Sequence, residues 1–479
     1  MSFFRDTAVS AISTIALTGS RFVVTLILAR WLTPTAYGDL IFTQWMMDLA
    51  FMVCSAGLPG VMTRFLPALR YDPSGEARSG RSWLRGLSLA SYATALAFFC
   101  IFLTVEGHRS LPETLVLVFW CGAYLMMAYG SPAMQGLFRY EAVMAGNFTF
   151  ALAAPVLLFA LLRHPTLVRA SLALGLSWLL SALIACVTMA VVKPKLDRPA
   201  LSAQLSRRQL TTYALNVWFT GLISGLVWSR GELGILKLRF DSAHIAFYSA
   251  ALSLAGLVMT GAALLTGAVT PHLVRHWHAG ETDRISAILR AVTQAVFILT
   301  SVAAVFLIGV GDVLVPLLLG KAYSHSYAIL AVLGISSVSV ASGCANAILQ
   351  IESDAKFGVL VNLLGLAGLI AISFLLTPVL GIMGAAVART VTQGTVALVT
   401  FSMLQRIPGL SRMSLDFCVA LALVLAALAG FYFIMPTLCL GLYGRFFVSA
   451  GLSFLLVVSI RKIVGVPLGT FVRMGRAAA

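Results

Sequence analysis

The sequence predicts an all-α protein that crosses a membrane about fourteen times, and three observations predict it. Apolar segments of roughly 20 residues, the length a helix needs to span hydrocarbon, follow one another along almost the whole chain. Hydrophobic residues make up 60% of it and charged residues only 10%, which leaves a soluble fold too little polar surface to face water. The basic excess, a net charge of +16, is gathered in particular connections between the segments and so reports topology, not a nucleic-acid partner.

In chain order the expected spans are Val9–Trp31, Asp39–Leu58, Trp83–Val105, Thr114–Tyr129, Ala142–Leu162 and Ala170–Val192. They continue with Tyr213–Trp228, Ile245–Val269, Ala291–Gly309, Tyr327–Gln350, Phe357–Leu376 and Ile382–Leu404, and end with Leu415–Met435 and Phe446–Ile460. Phe3, Phe4, Arg5 and Asp6 lead into the first of these without a small-residue cleavage site, so it is expected to stay as a membrane helix. The seven cysteines lie singly, without metal-type spacing, and read as small packing residues.

With a cytoplasmic N-terminus, one side collects Arg64, Arg70, Arg78, Arg81, Arg85, Arg139, Lys193, Lys195, Arg198, Arg207 and Arg208. Arg275, Arg284, Arg290, Lys356, Arg406, Arg412, Arg461, Lys462, Arg473 and Arg476 join them. The other side holds far fewer, among them Arg109, Arg163, Arg230 and Lys321. That asymmetry obeys the positive-inside rule only with an even number of spans and both termini in the cytoplasm. The long basic connection from Lys193 to Gln209 divides the first twelve spans into six and six, so two pseudo-symmetric lobes are expected. The domain reading is an N-terminal lobe over 1–209, a C-terminal lobe over 210–404, and a pair of further helices with a cytoplasmic tail over 405–479. Gly221 and Gly225 offer a small helix face, and Pro59, Pro132, Pro155, Pro271 and Pro316 can bend helices.

Charges inside the spans are the candidate functional residues, because each costs at least ~2.5–3.5 kcal/mol unless it finds a partner or a wet cavity. Arg21 lies about ten residues before the end of the first span and Asp48 about ten after the start of the second, so a rise of about 1.5 Å per residue puts them at similar depth on antiparallel neighbours. They read either as a structural ion pair or as cavity residues that handle substrate or protons. Arg389 sits about seven residues into the twelfth span with no acid near it in sequence, which makes it the leading cavity cation. Arg230 and Glu232 stand together at the outer end of the seventh span, where a local pair can cancel both charges. Arg64, at the inner end of the second span, is placed to meet lipid phosphate. His272, His276 and His278 have no acidic or cysteine partner at a diagnostic spacing, so no metal is expected there, and no cofactor anywhere. Phosphate loops, zinc-protease helices and nucleophile elbows are absent from the sequence, and the connections are too short for a catalytic domain.

Ala29-Arg30-Trp31-Leu32-Thr33-Pro34-Thr35-Ala36-Tyr37-Gly38, followed by Gly57-Leu58-Pro59-Gly60-Val61-Met62-Thr63-Arg64-Phe65-Leu66-Pro67, resembles the opening hairpin of the polysaccharide-biosynthesis flippases of the Wzx type. Ile245-Ala246-Phe247-Tyr248-Ser249 and Gly381-Ile382-Met383-Gly384-Ala385 fit the same family, and the span count and order follow it over the whole chain. The resemblance implies the fold of the multidrug, oligosaccharidyl-lipid and polysaccharide exporter superfamily, with a central cavity between two six-helix lobes. It implies a substrate, an oligosaccharide joined through diphosphate to a polyprenyl lipid, moved to the periplasmic leaflet of the inner membrane without covalent chemistry. Membrane lipids and other polysaccharide assembly proteins are the partners it suggests. Arg389, Arg21, Arg64 and Arg230 are then the expected substrate ligands, with Asp48 and Glu232 as ion-coupling or structural groups. Such flippases often carry an acid near the outer end of the seventh span, and Arg230 beside Glu232 puts its coupling role in question. The alternatives are a small-molecule exporter of the same superfamily and, against the short outer connections, a polytopic polymerase, ligase or glycosyltransferase.

The topology is testable with a single cysteine at Ser206 in a cysteine-free background. It should resist an impermeant thiol reagent in intact cells and react once the inner membrane is opened; labelling from the periplasm would reverse the orientation.

Overall fold

A computed structural model describes residues 2–71, 75–107, 109–192, 207–353 and 356–465, and these are almost wholly helical. Thirteen helices are long and apolar enough to cross a membrane, or fourteen if one bent pair counts as a single span, so the protein is a multi-pass membrane protein of the expected class. The basic stretch 193–206 and the tail 466–479, with Arg473 and Arg476, lie outside the described residues, as do the side chains of Arg70, Arg78, Arg207 and His278. All seven cysteines are free thiols. The chain forms two compact units, 1–230 and 231–479.

The first unit contains α1 (Ser2–Trp31), α2 (Pro34–Cys54), α3 (Leu58–Tyr71), α4 (Gly75–Glu106), α5 (Leu111–Gly136), α6 (Tyr140–Leu161), α7 (Leu167–Val191) and α8 (Arg207–Gly225). Local chemistry sets their starts. Thr33 caps α2 by accepting from the Ala36 N–H at 3.3 Å, with Pro34 in the first turn where no N–H is needed. The backbone N–H of Ser110 donates to Glu113 Oε2 at 3.1 Å at the start of α5. Small residues then bring helices together: Gly146 lets α7 approach so closely that Ser181 Oγ donates to its carbonyl at 2.8 Å.

The second expected span is broken. Between α2 and α3 the chain turns by 55° through Ser55, Ala56 and Gly57, the last two with φ of 47° and 73°. The bend precedes Pro59, which instead occupies the first turn of α3. Carbonyls freed at the end of α2 must be satisfied inside the protein, and the indole N–H of Trp218 on α8 serves two of them, Val53 at 2.9 Å and Met52 at 3.1 Å. Three glycines make room for the broken ends. A Cβ at Gly57 would overlap the Ala214 carbonyl, one at Gly136 the Met62 carbonyl, and one at Gly60 would come within 2.6 Å of Val217.

The second unit contains α9 (Glu232–Lys237), α10 (Ser242–His278), α11 (Thr282–Leu319), α12 (Ser326–Ser336), α13 (Gly343–Glu352), α14 (Lys356–Leu380), α15 (Ile382–Met403), α16 (Ser411–Ile434) and α17 (Leu442–Val464). Asp241 caps α10, and its bonds to the imidazole and backbone N–H of His244 hold its carboxyl below the usual range. At the other end of α10, His276 has an acidic partner that its own motif does not show: Glu281 Oε2, 2.6 Å away across the turn into α11. The tenth expected span is interrupted by a 3-10 segment, Ser337–Ser342, whose serines bond back three residues, Ser339 to Ser336 and Ser342 to Ser339. It lies in the most enclosed span of the unit, where Ser337, Val338 and Ala341 are fully buried. Phe297, Phe401 and Phe417 stack through the core at centroid separations of 5.8 and 5.1 Å. The last two helices are tied to α11 along its length: Arg290 bonds the Val464 carbonyl at 3.1 Å and Asp416 at 3.3 Å, while Arg445 pairs with Asp312.

Gly136→Ala should lower the thermal midpoint of detergent-solubilised protein, consistent with the ~1–3 kcal/mol cost of overpacking a close contact. Gly86→Ala, where nothing lies within 4 Å of the added carbon, should leave it unchanged or raise it. Equal midpoints for the two variants, read by fluorescence-detected size exclusion, would show that the α3–α5 contact is looser than this.

Candidate functional site

Two carboxylates, Asp48 in the first unit and Glu232 in the second, are held in different ways. In the first, Asp48 of α2 accepts a hydrogen bond from the Tyr124 hydroxyl of α5 at 2.5 Å. Arg21 does not pair with it directly; among the described residues Arg21 has no ion pair, and its guanidinium lies 5.6 Å from the centre of the Trp178 ring. Tyr124 meets that same indole edge-on at 5.5 Å and so stands within reach of both charges. Arg21 and Arg230 both act on Asp48 through their fields. Depth matching on antiparallel helices therefore brings the two residues to one place, with a phenol inserted where a salt bridge was one expectation.

Around Arg21 the first unit opens a cavity of about 350 Å³. Arg21, Tyr124, Trp178, Ser131, Gln135 and Asn147 line it, a mixture of one cation, hydrogen-bonding groups and aromatic wall. Asn147 is oriented by its bond to Ser13 Oγ at 2.8 Å. Nearer the end of α8, Arg64 lies 4.7 Å over the Tyr213 ring and 5.3 Å over Phe65, the two rings being perpendicular. Tyr213 also borders a cleft of about 390 Å³ with Arg208, Gln209, Thr212 and Asn216, a lining without any acidic side chain.

In the second unit Glu232 opens α9, directly after the single π-helical turn Leu226–Arg230 that ends the first. Its partner is not Arg230, as adjacency suggested, but Arg389 of α15. Arg389 Nη1 stands 2.6 Å from Glu232 Oε1, and the same oxygen accepts from the Tyr248 hydroxyl at 2.6 Å. The two charged side chains are 2% and 0% exposed. The expected open cavity cation is thus a sealed one, because a buried guanidinium is tolerable only against a counter-charge. Among the described residues Glu232 Oε2 has no hydrogen-bond partner, nor do the two amide atoms of Gln393, one turn along α15. Tyr124, Trp178 and Tyr248 were not among the expected site residues. Only Tyr248 fell within a motif that sequence reading singled out.

The family model described as "Polysaccharide biosynthesis protein" matches residues 3–277, more than half of the chain. The chain belongs to the polysaccharide biosynthesis protein family. No curated protein matches it. Among solved structures it is similar to the lipid II flippase MurJ in an inward closed conformation, at 11% identity and a TM-score of 0.61, over 95% of this chain and 98% of that one. A MATE structure in the bent conformation matches at 14% identity and a TM-score of 0.59, over 84% and 95% of the two chains. An outward-facing MATE-family multidrug resistance transporter of the MOP superfamily matches at 14% and 0.59, over 89% and 97%. At such identities the likeness is one of fold.

Neutralising one member of the Glu232–Arg389 pair should be far worse than neutralising both. Glu232→Gln or Arg389→Gln alone should reduce stability by about 3–5 kcal/mol, seen as lost folded protein in the membrane, and the double variant should recover a large part of it. Additive losses would mean that the two charges do not depend on each other.

Proposed function

We propose that the protein is a flippase that carries a polyprenyl-diphosphate-linked oligosaccharide from the cytoplasmic to the periplasmic leaflet of the inner membrane, by alternating access and without covalent chemistry. Family membership supports the substrate class, and the observation that carries the reading is Arg21, an unpaired cation in a cavity with hydrogen-bonding walls inside the hydrocarbon layer. A diphosphate and its sugars cannot cross hydrocarbon unaided, whereas a guanidinium can hold phosphate through two parallel charge-assisted bonds while the prenyl tail stays in lipid. Arg64, with Arg208 near it, receives the headgroup at the cytoplasmic end, and Arg230 adds to the positive field around Asp48.

In this reading Glu232 and Arg389 are the coupling pair. Arg389 reaches a substrate phosphate only when a proton or cation takes its place on Glu232, so ion uptake and substrate capture are linked. Asp48 serves the first unit in the same sense, with Tyr124 holding its carboxylate when Arg21 turns to phosphate.

Deleting the gene should leave a lipid-linked glycan on the cytoplasmic leaflet. Arg21→Gln should express normally yet cut flipping in vesicles by about tenfold or more, the value of hydrogen bonds to a charged group. Arg21→Lys should restore part of it, since an ammonium keeps the charge but loses the planar fork. Wild-type flipping by a well-folded Gln variant would remove Arg21 from the substrate site.

A further inference from the structure

At one end of the second unit, three connections meet around a cleft of about 420 Å³: the residues before and within the first turn of α10, the start of α12, and the turn between α14 and α15. None of its lining residues belongs to the Glu232–Arg389 site. Rings dominate it. Phe247 packs edge-on against Tyr323 at 5.8 Å and lies 5.9 Å from His325 and 6.3 Å from His244, while Phe240 and His244 lie 5.5 Å apart at 38°. Polar groups stand at its rim. They are the imidazoles of His244, whose Nδ1 is bonded to the Asp241 carboxylate outside the lining, and of the exposed His325. Gly381, with φ of 62° and nothing within 4 Å of where a Cβ would be, keeps the third wall open.

We infer that this cleft binds a hexopyranose unit of a glycan. A pyranose ring presents a face of C–H bonds and a rim of hydroxyls, and it is matched by the rings of Phe240 and Phe247 bordered by the imidazoles of His244 and His325. An acyl chain is the poorer occupant, because it would cover the imidazoles of His244 and His325 without offering either a hydrogen bond. The volume falls within the range of small-ligand sites. Under the positive-inside topology these connections lie on the periplasmic side, so the cleft receives sugar as the headgroup emerges. The biological ligand therefore rests on the transport reading, but the binding itself does not.

The test is saturation-transfer NMR on full-length protein in lipid nanodiscs, with maltotetraose, chitotetraose and fragments of the source cell's own surface polysaccharide as probes. Transfer to ring protons of at least one probe is expected. Phe240→Ala and, on the exposed rim, His325→Ala should each weaken it about fivefold, the scale of one aromatic contact. Phe454→Ala, on an exposed position of α17 away from the cleft, should not change it. No transfer to any probe, or transfer equal in all variants, overturns the site. Flipping assays separate the two proposals: binding without flipping keeps the cleft and removes the transport reading, while flipping without binding does the reverse.

Discussion

A charge inside hydrocarbon must be compensated where it stands, and the buried contact between Arg389 and Glu232 is the strictest case of that constraint in the protein. Neither side chain has water to fall back on, so each makes the other's position possible. Tyr248 completes the arrangement by donating to the same carboxylate oxygen. The contact joins α9, α10 and α15, and with the buried Leu233 and Leu236 it anchors α9, whose six residues are too few for a helix that stands by itself. The first unit meets the same constraint less tightly. Asp48 is held by a neutral phenol, and Arg21 rests on an aromatic face, so its charge is spread without being cancelled.

The same solvent argument governs the backbone. A helix may break in a membrane only where the freed groups are satisfied by the protein, and each break here has its own solution. The bend in the second span uses a distant indole and three glycine contacts. The interruption in the tenth uses its own serines, whose hydroxyls return to carbonyls three residues back and so match the tighter winding of a 3-10 helix. One break is tertiary and the other local. That difference bears on motion, because a break held by a neighbouring helix must shift with that helix, whereas a self-satisfied one can stay intact while its surroundings move.

Much of the fold was legible because the bilayer imposes a length. A segment of about 20 apolar residues has one stable use, and the spans read along the sequence correspond to helices throughout. Depth could also be read, which is why Arg21 and Asp48 were found as neighbours. Partners across long separations could not. Tyr124 lies 76 residues from Asp48, and Arg389 lies 157 from Glu232, and no periodicity links them. A signal for the second pair did exist in principle: Arg389 stands inside the twelfth span and Glu232 at the end of the seventh, charges of opposite sign, and a buried one needs a partner. Adjacency of Arg230 to Glu232 concealed it. The bend before Pro59 was hidden for a related reason, since Gly57 shows its purpose only when the Ala214 carbonyl is set against it.

The proposed carriage of a diphosphate lipid needs a cation that is attractive without being saturated. An arginine already locked to a carboxylate has its attraction spent, and one exposed to water has it screened. Arg21 is exposed but lines a cavity: its guanidinium rests over the Trp178 ring, hydrogen-bonding groups share the wall, and Asp48, which feels its field, is already engaged by Tyr124. Arg389 falls at the first limit. Its charge becomes available only through a change at Glu232, which is what distinguishes a switch from a binding site. In the proposed cycle, two arginines of the same chemistry are thus suited to different steps by what stands beside them, a ring in one unit and a carboxylate in the other.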